Sequence, residues 1–248
     1  MIKSSNINVM SSALFKASRI LRRDFNEIEK LQNSLSKINL FVDRSINSVK
    51  EILFKELRKA RPDWKIIFKE DDGLNNFKNE DDNLFVVKPI SGLSNYSRGI
   101  SYFSTSITLI NKDTQDATVI YDPIKDELFY SEIGKGAFVN NFRIRISSNN
   151  DLHKSFVVLE KTELLVEKIK SILEKKEVSI RIFGSKCLDF ANLASGRIDC
   201  YISSIITNDY EPGLLLIKEA GGINSEMLEL KNTIFYGNNA ILDKIIKK

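Results

Sequence analysis

The chain has 248 residues, 37 of them basic and 33 acidic, for a net charge of +4. That excess is too small to mark a nucleic-acid-binding face, and Arg19, Arg22 and Arg23 read as a solvated helix surface. Two cysteines, Cys187 and Cys200, and one histidine, His153, give no disulfide framework, no zinc spacing and no support for a Ser-His-Asp triad.

Hydrophobic residues make up 42% and charged residues 28%, the balance of a soluble globular protein with room for a substantial core. No apolar run reaches membrane-spanning length, and the N-terminus lacks a signal-peptide core. The expected setting is a reducing cytoplasm, with no membrane partner.

Val9 to Gln32 predicts an amphipathic helix, with Val9, Ala13, Ala17, Ile20, Leu21, Phe25, Ile28 and Leu31 at spacings of three and four. Ser34, Ser36 and Asn39 are expected to break it. A second helix is expected from about Asp43 to Lys59, capped by Asp43 or Ser45 and closed by Pro62. Trp64 to Phe68 reads as a strand, followed by the acidic run Glu70-Asp71-Asp72-Gly73. Residues 74–83 read as polar loop. Phe85-Val86-Val87 is then a strand-type run that stops at the small-residue turn Pro89-Ile90-Ser91-Gly92-Leu93-Ser94-Asn95. Enzymes place ligand-binding groups at such strand ends.

Tyr102 to Leu109 alternates as a strand, and Ala117 to Tyr121 and Glu127 to Glu132 form a hairpin about Asp122-Pro123-Ile124-Lys125-Asp126. Asn140-Asn141 marks another tight turn. The polar run at Ser147 to Asp151 suggests a boundary between an α+β part, residues 1–147, and an α/β part, residues 148–248. In the second part strands are expected at Phe156 to Leu159, Val178 to Phe183 and Asp199 to Ile202. Helices are expected at Thr162 to Glu174, Cys187 to Ser195 and Glu211 to Ala220, the last two stopped by Gly196 and by Gly221-Gly222.

The turn Lys88-Pro89-Ile90-Ser91-Gly92-Leu93-Ser94-Asn95-Tyr96 resembles the inositol monophosphatase signature Asp-Pro-Ile/Leu-Asp-Gly-Thr-x-Asn-Phe. Three further segments extend the resemblance. Phe68-Lys69-Glu70 is similar to the family's Ile-Gly-Glu, with Glu70 at the metal-binding glutamate. Arg181 to Ala191, then Ala194 to Asp199, resembles Arg-x-x-Gly-Ser-Ala-Ala-Leu-Asp-x-Ala … Ala-x-Gly-Arg-x-Asp. Asp209-Tyr210-Glu211-Pro212-Gly213, leading to Glu219-Ala220-Gly221-Gly222, resembles Asp-x-Ala-Ala-Gly … Glu-Ala-Gly-Gly. The match spans nearly the whole chain, in order, and is nearest the bacterial extragenic-suppressor (SuhB) type.

The resemblance implies a layered αβαβα sandwich and Mg²⁺-dependent hydrolysis of inositol phosphate or a related sugar phosphate. By resemblance Glu70, Asp209 and the carbonyl of Ile90 are metal ligands, Glu70 and Asp43 belong to the catalytic relay, and Gly92, Gly184 and Ser185 contact substrate. Lys88, Ser91 and Leu93 stand where the family has Asp, Asp and Thr, and Ile202 stands roughly where some members hold substrate hydroxyls with a glutamate. A charged ammonium cannot ligate Mg²⁺ and repels it. Lys88 is therefore expected to replace the metal's charge and to pair with Glu70 and Asp209. Two readings follow. The first is a family member with an eroded site that acts through binding, with transcription or ribosomal-RNA-synthesis proteins as partners by resemblance, and a homodimer as is common in the family. The alternative is a working magnesium phosphatase. The residues themselves leave open an acidic solvated loop at Glu70, a helix cap at Asp209 or Asp43, and an ordinary helix start at Gly184-Ser185. A Ser91–Lys88 nucleophile pair is a third option.

Overall fold

The protein is described from a computed structural model that covers residues 3–30, 35–69, 83–112, 114–160, 169, 173, 176–204, 211–226 and 233–246. The chain opens with two 26-residue helices, α1 (Ser5–Lys30) and α2 (Leu35–Ala60). Ser4 caps α1, its Oγ accepting the Ile7 N–H at 3.2 Å. Ile7, Met10, Ala13, Leu14, Ala17, Leu21, Phe25 and Ile28 are all buried, a single apolar stripe with the helical period.

Helix α2 starts earlier than the sequence suggested. Ser36 and Asn39 do not break it, because Ile38 and Val42 carry the buried stripe one turn further back. Asp43 and Ser45 are therefore mid-helix and cap nothing. The Ser45 hydroxyl instead bonds the Phe41 carbonyl at 3.1 Å and Asp24 Oδ2 at 2.6 Å, tying α2 to α1.

Seven strands follow in one sheet in sequential order: β1 (Lys65–Phe68), β2 (Leu84–Ser91), β3 (Ser104–Asn111), β4 (Thr114–Asp122), β5 (Glu127–Glu132), β6 (Gly136–Val139) and β7 (Phe142–Ile144). Only β1 and β2 are parallel; the rest is an antiparallel meander. The expected hairpin is present. Asp122 shapes its turn, with Oδ1 accepting the N–H groups of Ile124 and Lys125. A short helix, α3 (Leu93–Ser97), interrupts the path from β2 to β3.

The second sheet contains β8 (Val157–Leu159), β9 (Ile180–Arg181), β10 (Cys200–Ser204), β11 (Ile223–Glu226) and β12 (Thr233–Gly237), in the order β11-β12-β10-β8-β9. Helices α4 (Lys186–Ala194), α5 (Leu214–Glu219) and α6 (Asn239–Ile246) and a 3-10 turn at Leu152–Lys154 complete the described elements. Helix α5 begins at Leu214 with Gly213 at its cap position, later than the expected start at Glu211, so Pro212 lies before the helix and not in its first turn. The strands β11 and β12 and the helix α6 were not anticipated. The helix expected at Thr162 to Glu174 lies outside the described residues except at positions 169 and 173, where Ile169 and Leu173 are buried.

Three apolar layers glue the elements. One packs α1 and α2 on the large sheet. One holds α4 and α5 between the two sheets. One joins the small sheet to α6 and to Ile169 and Leu173. The order is helices, sheet, helices, sheet, helix, the αβαβα sandwich implied by the resemblance.

Candidate ligand site at the β2–α3 turn

Strand β2 carries Pro89, which has no N–H for the ladder, and its register against β3 shifts between Lys88 and Ser91. The shift ends β2 at Gly92, whose φ of 89° suits glycine alone. A Cβ there would lie 2.8 Å from the Tyr102 carbonyl oxygen and 3.0 Å from Ser185 Cβ. The turn is thus pressed against the start of α4, and three side chains fasten it. Asn95 Nδ2 donates to the carbonyls of Tyr102 (2.8 Å) and Phe183 (2.7 Å). Ser185 Oγ donates to the Ser91 carbonyl at 3.0 Å. Ser91 Oγ lies 3.2 Å from Ser185 Oγ and accepts the Cys187 N–H at 3.3 Å.

Two cavities flank this turn. One, of about 250 Å³, is lined by Lys88, Gly92, Gly184, Lys186, Glu160 and Asp189 among others. The other, of about 470 Å³, brings together Asp43, Lys50, Lys69, Ile90 and Leu93. Leu93 borders both.

Among the described residues, two ion pairs stand near the turn. Lys69 Nζ meets Glu211 Oε2 at 2.5 Å, with both side chains largely buried. Lys186 Nζ meets Glu160 Oε1 at 2.9 Å. Burial pushes the Glu160 carboxyl up, but the Lys186 charge and the hydroxyls of Ser203 and Ser204 outweigh it and hold the group below the usual carboxylate range. Asp189 goes the other way. Burial drives its carboxyl up to about 7, although the Tyr102 hydroxyl donates to it at 2.7 Å. Cys187 is fully buried, and burial raises its thiol, with the Lys88 charge acting in the opposite sense. Lys88 lines the smaller cavity together with Gly184, Lys186 and Asp189, on the α4 side of the sheet.

The sequence matches the inositol monophosphatase family over residues 3–240. An inositol-1-monophosphatase of Mesorhizobium japonicum is 35% identical over 237 residues, covering 92% of this chain and 87% of that protein. The chain belongs to the inositol monophosphatase family. A Nus factor SuhB of Pasteurella multocida is 29% identical over 88% of this chain and 83% of its own. The crystal structure of extragenic suppressor protein suhB from Bartonella henselae superposes with a TM-score of 0.78 at 32% identity, covering all of both chains.

Within this family fold the residues singled out by sequence divide into groups. Glu70 and Asp209 lie outside the described residues, and with them the proposed partners of Lys88. Asp43, Ile90 and Leu93 meet at the larger cleft. Lys88, Ser91, Gly92 and Gly184 line the smaller one. The Ser185 hydroxyl is buried and committed to Ser91. Ser91 is itself buried and held between Ser185 and Cys187, which removes the geometry of a free nucleophile. Ile202 is fully buried in the layer under the small sheet and faces no ligand.

Among the described residues, no three His, Cys, Asp or Glu side chains converge as metal ligands. Mg²⁺ wants several hard oxygens at one point, and the two acids at the family's ligand positions, Glu70 and Asp209, lie outside the described residues. Lys69 lines the larger cleft and Lys88 the smaller one.

Sequence reasoning missed Lys69, Glu211, Lys186, Glu160 and Asp189. A signal existed for three of them. Lys69 occupies the glycine of the family's Ile-Gly-Glu, Glu211 the first alanine of Asp-x-Ala-Ala-Gly, and Lys186 the first alanine of Gly-Ser-Ala-Ala. A charge in place of a small residue at a buried turn requires a partner. Lys69 and Glu211 supply one another.

Proposed function

We propose that this protein is a family member that has left magnesium-dependent phosphomonoester hydrolysis and works by binding. The buried Lys69–Glu211 pair carries the reading. It sets an ammonium and a carboxylate against each other beside Lys88, where the family signature would gather metal ligands. An ion pair neutralises its carboxylate, so Glu211 is no metal ligand, and each nearby lysine opposes a cation by several kcal/mol at about 4 Å and intermediate dielectric. Gly92 and Gly184 then line a pocket that works without metal, with Ser185 buried behind it and bonded to Ser91. The relatives named Nus factor SuhB favour transcription-related partners for such a binding role.

A second reading is favoured by a specific observation. Glu70 and Asp209 keep the family's residue types, and a relative at 35% identity is named inositol-1-monophosphatase. That reading is a magnesium phosphatase acting on inositol phosphate or a related sugar phosphate.

Calorimetric Mg²⁺ titration and thermal unfolding separate the two. Mg²⁺ at a hundredfold excess over its Kd would stabilise the fold by about 2.7 kcal/mol. We expect no shift at millimolar Mg²⁺ and no release of phosphate from inositol 1-phosphate. The triple change K88D/S91D/L93T, made together with K69G and E211A, should introduce a Mg²⁺-dependent shift. A shift in the parent protein would return the chain to the phosphatases.

A further inference from the structure

The smaller cavity is lined by one more carboxylate than its ion pair uses. Glu160, directly after β8, and Asp189, on α4, both border it together with Lys186. Glu160 is well served. Its carboxylate takes Lys186 Nζ at 2.9 Å, Ser203 Oγ at 2.9 Å, the Ser204 N–H at 3.0 Å and Ser204 Oγ at 2.8 Å. Its own N–H donates to the Ile202 carbonyl at 2.8 Å. Asp189 follows Lys186 by three residues and shares its side of α4. Its Oδ1 accepts the Tyr102 hydroxyl at 2.7 Å.

That hydroxyl is oriented from the surface inward. Glu127 holds Arg197 at two points, 2.6 and 2.7 Å. A guanidinium can only donate, and Arg197 Nη1 donates to Asn192 Oδ1 at 3.3 Å. The Asn192 amide is thereby turned so that Nδ2 donates to the Tyr102 oxygen at 3.0 Å. The Tyr102 proton is left for Asp189 Oδ1, and a proton taken up by Asp189 goes to Oδ2 without disturbing the relay.

Charged groups reach Asp189 from several elements. Glu160 repels from the end of β8, and Lys186 attracts from α4 itself. Lys88 on β2 and Tyr201 on β10 complete the described titratable lining. Asp122 on β4 and Glu211 before α5 act one group removed, on Tyr102 and Tyr201. Burial raises both tyrosine hydroxyls far above their ordinary range, so they stay neutral where Asp189 titrates. Burial, with the Glu160 charge added, holds the Asp189 carboxyl up at about 7 against the Tyr102 bond and the Lys186 charge.

We propose that Lys186, Glu160 and Asp189 form a pH-sensitive switch: Lys186 serves Glu160 alone while Asp189 is protonated, and is shared between both carboxylates once Asp189 ionises. Ionisation adds a negative charge to the cavity wall and loosens the Lys186–Glu160 contact, which ties the end of β8 to α4. The switch involves neither metal nor ligand and is independent of whether the fold retains phosphatase chemistry.

The test is carbon-13 NMR of the full chain with labelled Asp and Glu carboxyls, titrated from acid to alkaline pH. The Asp189 signal is the one lost in Asp189→Asn, and the Glu160 signal the one lost in Glu160→Gln. Asp189 should titrate near neutral pH, and the Glu160 signal should shift through the same range as Lys186 moves. Glu160→Gln should lower the Asp189 midpoint by about one pH unit, because the repelling charge is gone and Lys186 can turn to Asp189. Lys186→Met should raise it by a similar amount. Circular dichroism checks that each variant folds. Should Lys186→Met not fold, Lys186→Met/Glu160→Gln removes the stranded charge with its partner and should leave the Asp189 midpoint close to the parent's. An Asp189 midpoint that Glu160→Gln leaves unchanged overturns the proposal, as does a Glu160 signal that stays flat while Asp189 titrates. Either result would make Asp189 a buried carboxyl with no hold on Lys186.

Discussion

The two faces of the seven-stranded sheet are built on opposite rules. Toward α1 and α2 the strands offer Phe85 and Val87, then Ile107 and Leu109, then Val119 and Tyr121, all buried. Toward α4 the same strands offer Lys88, Ser106, Thr108 and Thr118 beneath a few aliphatic side chains. The first face is held mainly by area and packing, with a few bonds such as Arg22 to the Tyr121 hydroxyl added. The second is richer in buried hydroxyls, some paired, as Thr108 with Thr118, and some not, as Ser104 and Ser131, and the site sits on it. One face fixes the fold, and the other carries the charged residues that border the two cavities.

The largest break in the comparison comes from the apolar face. Phe103 is fully buried, 5.1 Å from the Phe25 ring and 4.9 Å from the Tyr96 ring. Phe103→Ala should cost about 3–5 kcal/mol in urea unfolding, from lost area and the cavity left behind. On the other face, Glu211→Ala should cost about 3 kcal/mol, because Lys69 is left charged and buried. The double variant Lys69→Met/Glu211→Leu should recover most of that loss. A double variant as unstable as the single one would mean the cost is packing and not charge.

Asp189 sharpens the contrast through pH. Its folded pKa of about 7 lies above its ordinary value of 3.8, so folding favours the protonated form. The stability this confers is fully present below pH 4 and is lost as pH rises through 7, at up to about 1.4 kcal/mol per pH unit. Asp189→Asn should flatten the stability profile between pH 4 and 7, read by unfolding titrations across that window. The smallest effect is expected at Thr108 and Thr118, whose hydroxyls lie 3.1 Å apart in the buried face. Thr108→Val should cost about 1 kcal/mol by stranding the Thr118 hydroxyl, and the double valine variant should cost less than the single one.

Much of this was legible in the linear chain. The helical stripe of α1, the β4–β5 hairpin with its Asp122 turn, and the αβαβα class through the family resemblance all rest on local patterns. The start of α2 was misread for a physical reason: Ser36 and Asn39 lower helix propensity by tenths of a kcal/mol each, while burying Ile38 and Val42 contributes more. The ends β11, β12 and α6 carried too little periodicity over four to eight residues to be assigned in advance.

At the site, the sequence by itself determined which residue types stand at the family's positions: Lys88, Ser91 and Leu93 in the turn, and Lys69, Glu211 and Lys186 where the motifs have small residues. Tertiary structure alone decided which of them meet. Lys69 and Glu211 are 142 residues apart, and Lys186 and Glu160 are 26 apart. Charge pairing depends on distance in space, and that distance is set by the sheet order and by the Gly92 turn pressed on α4. No spacing along the chain encodes it.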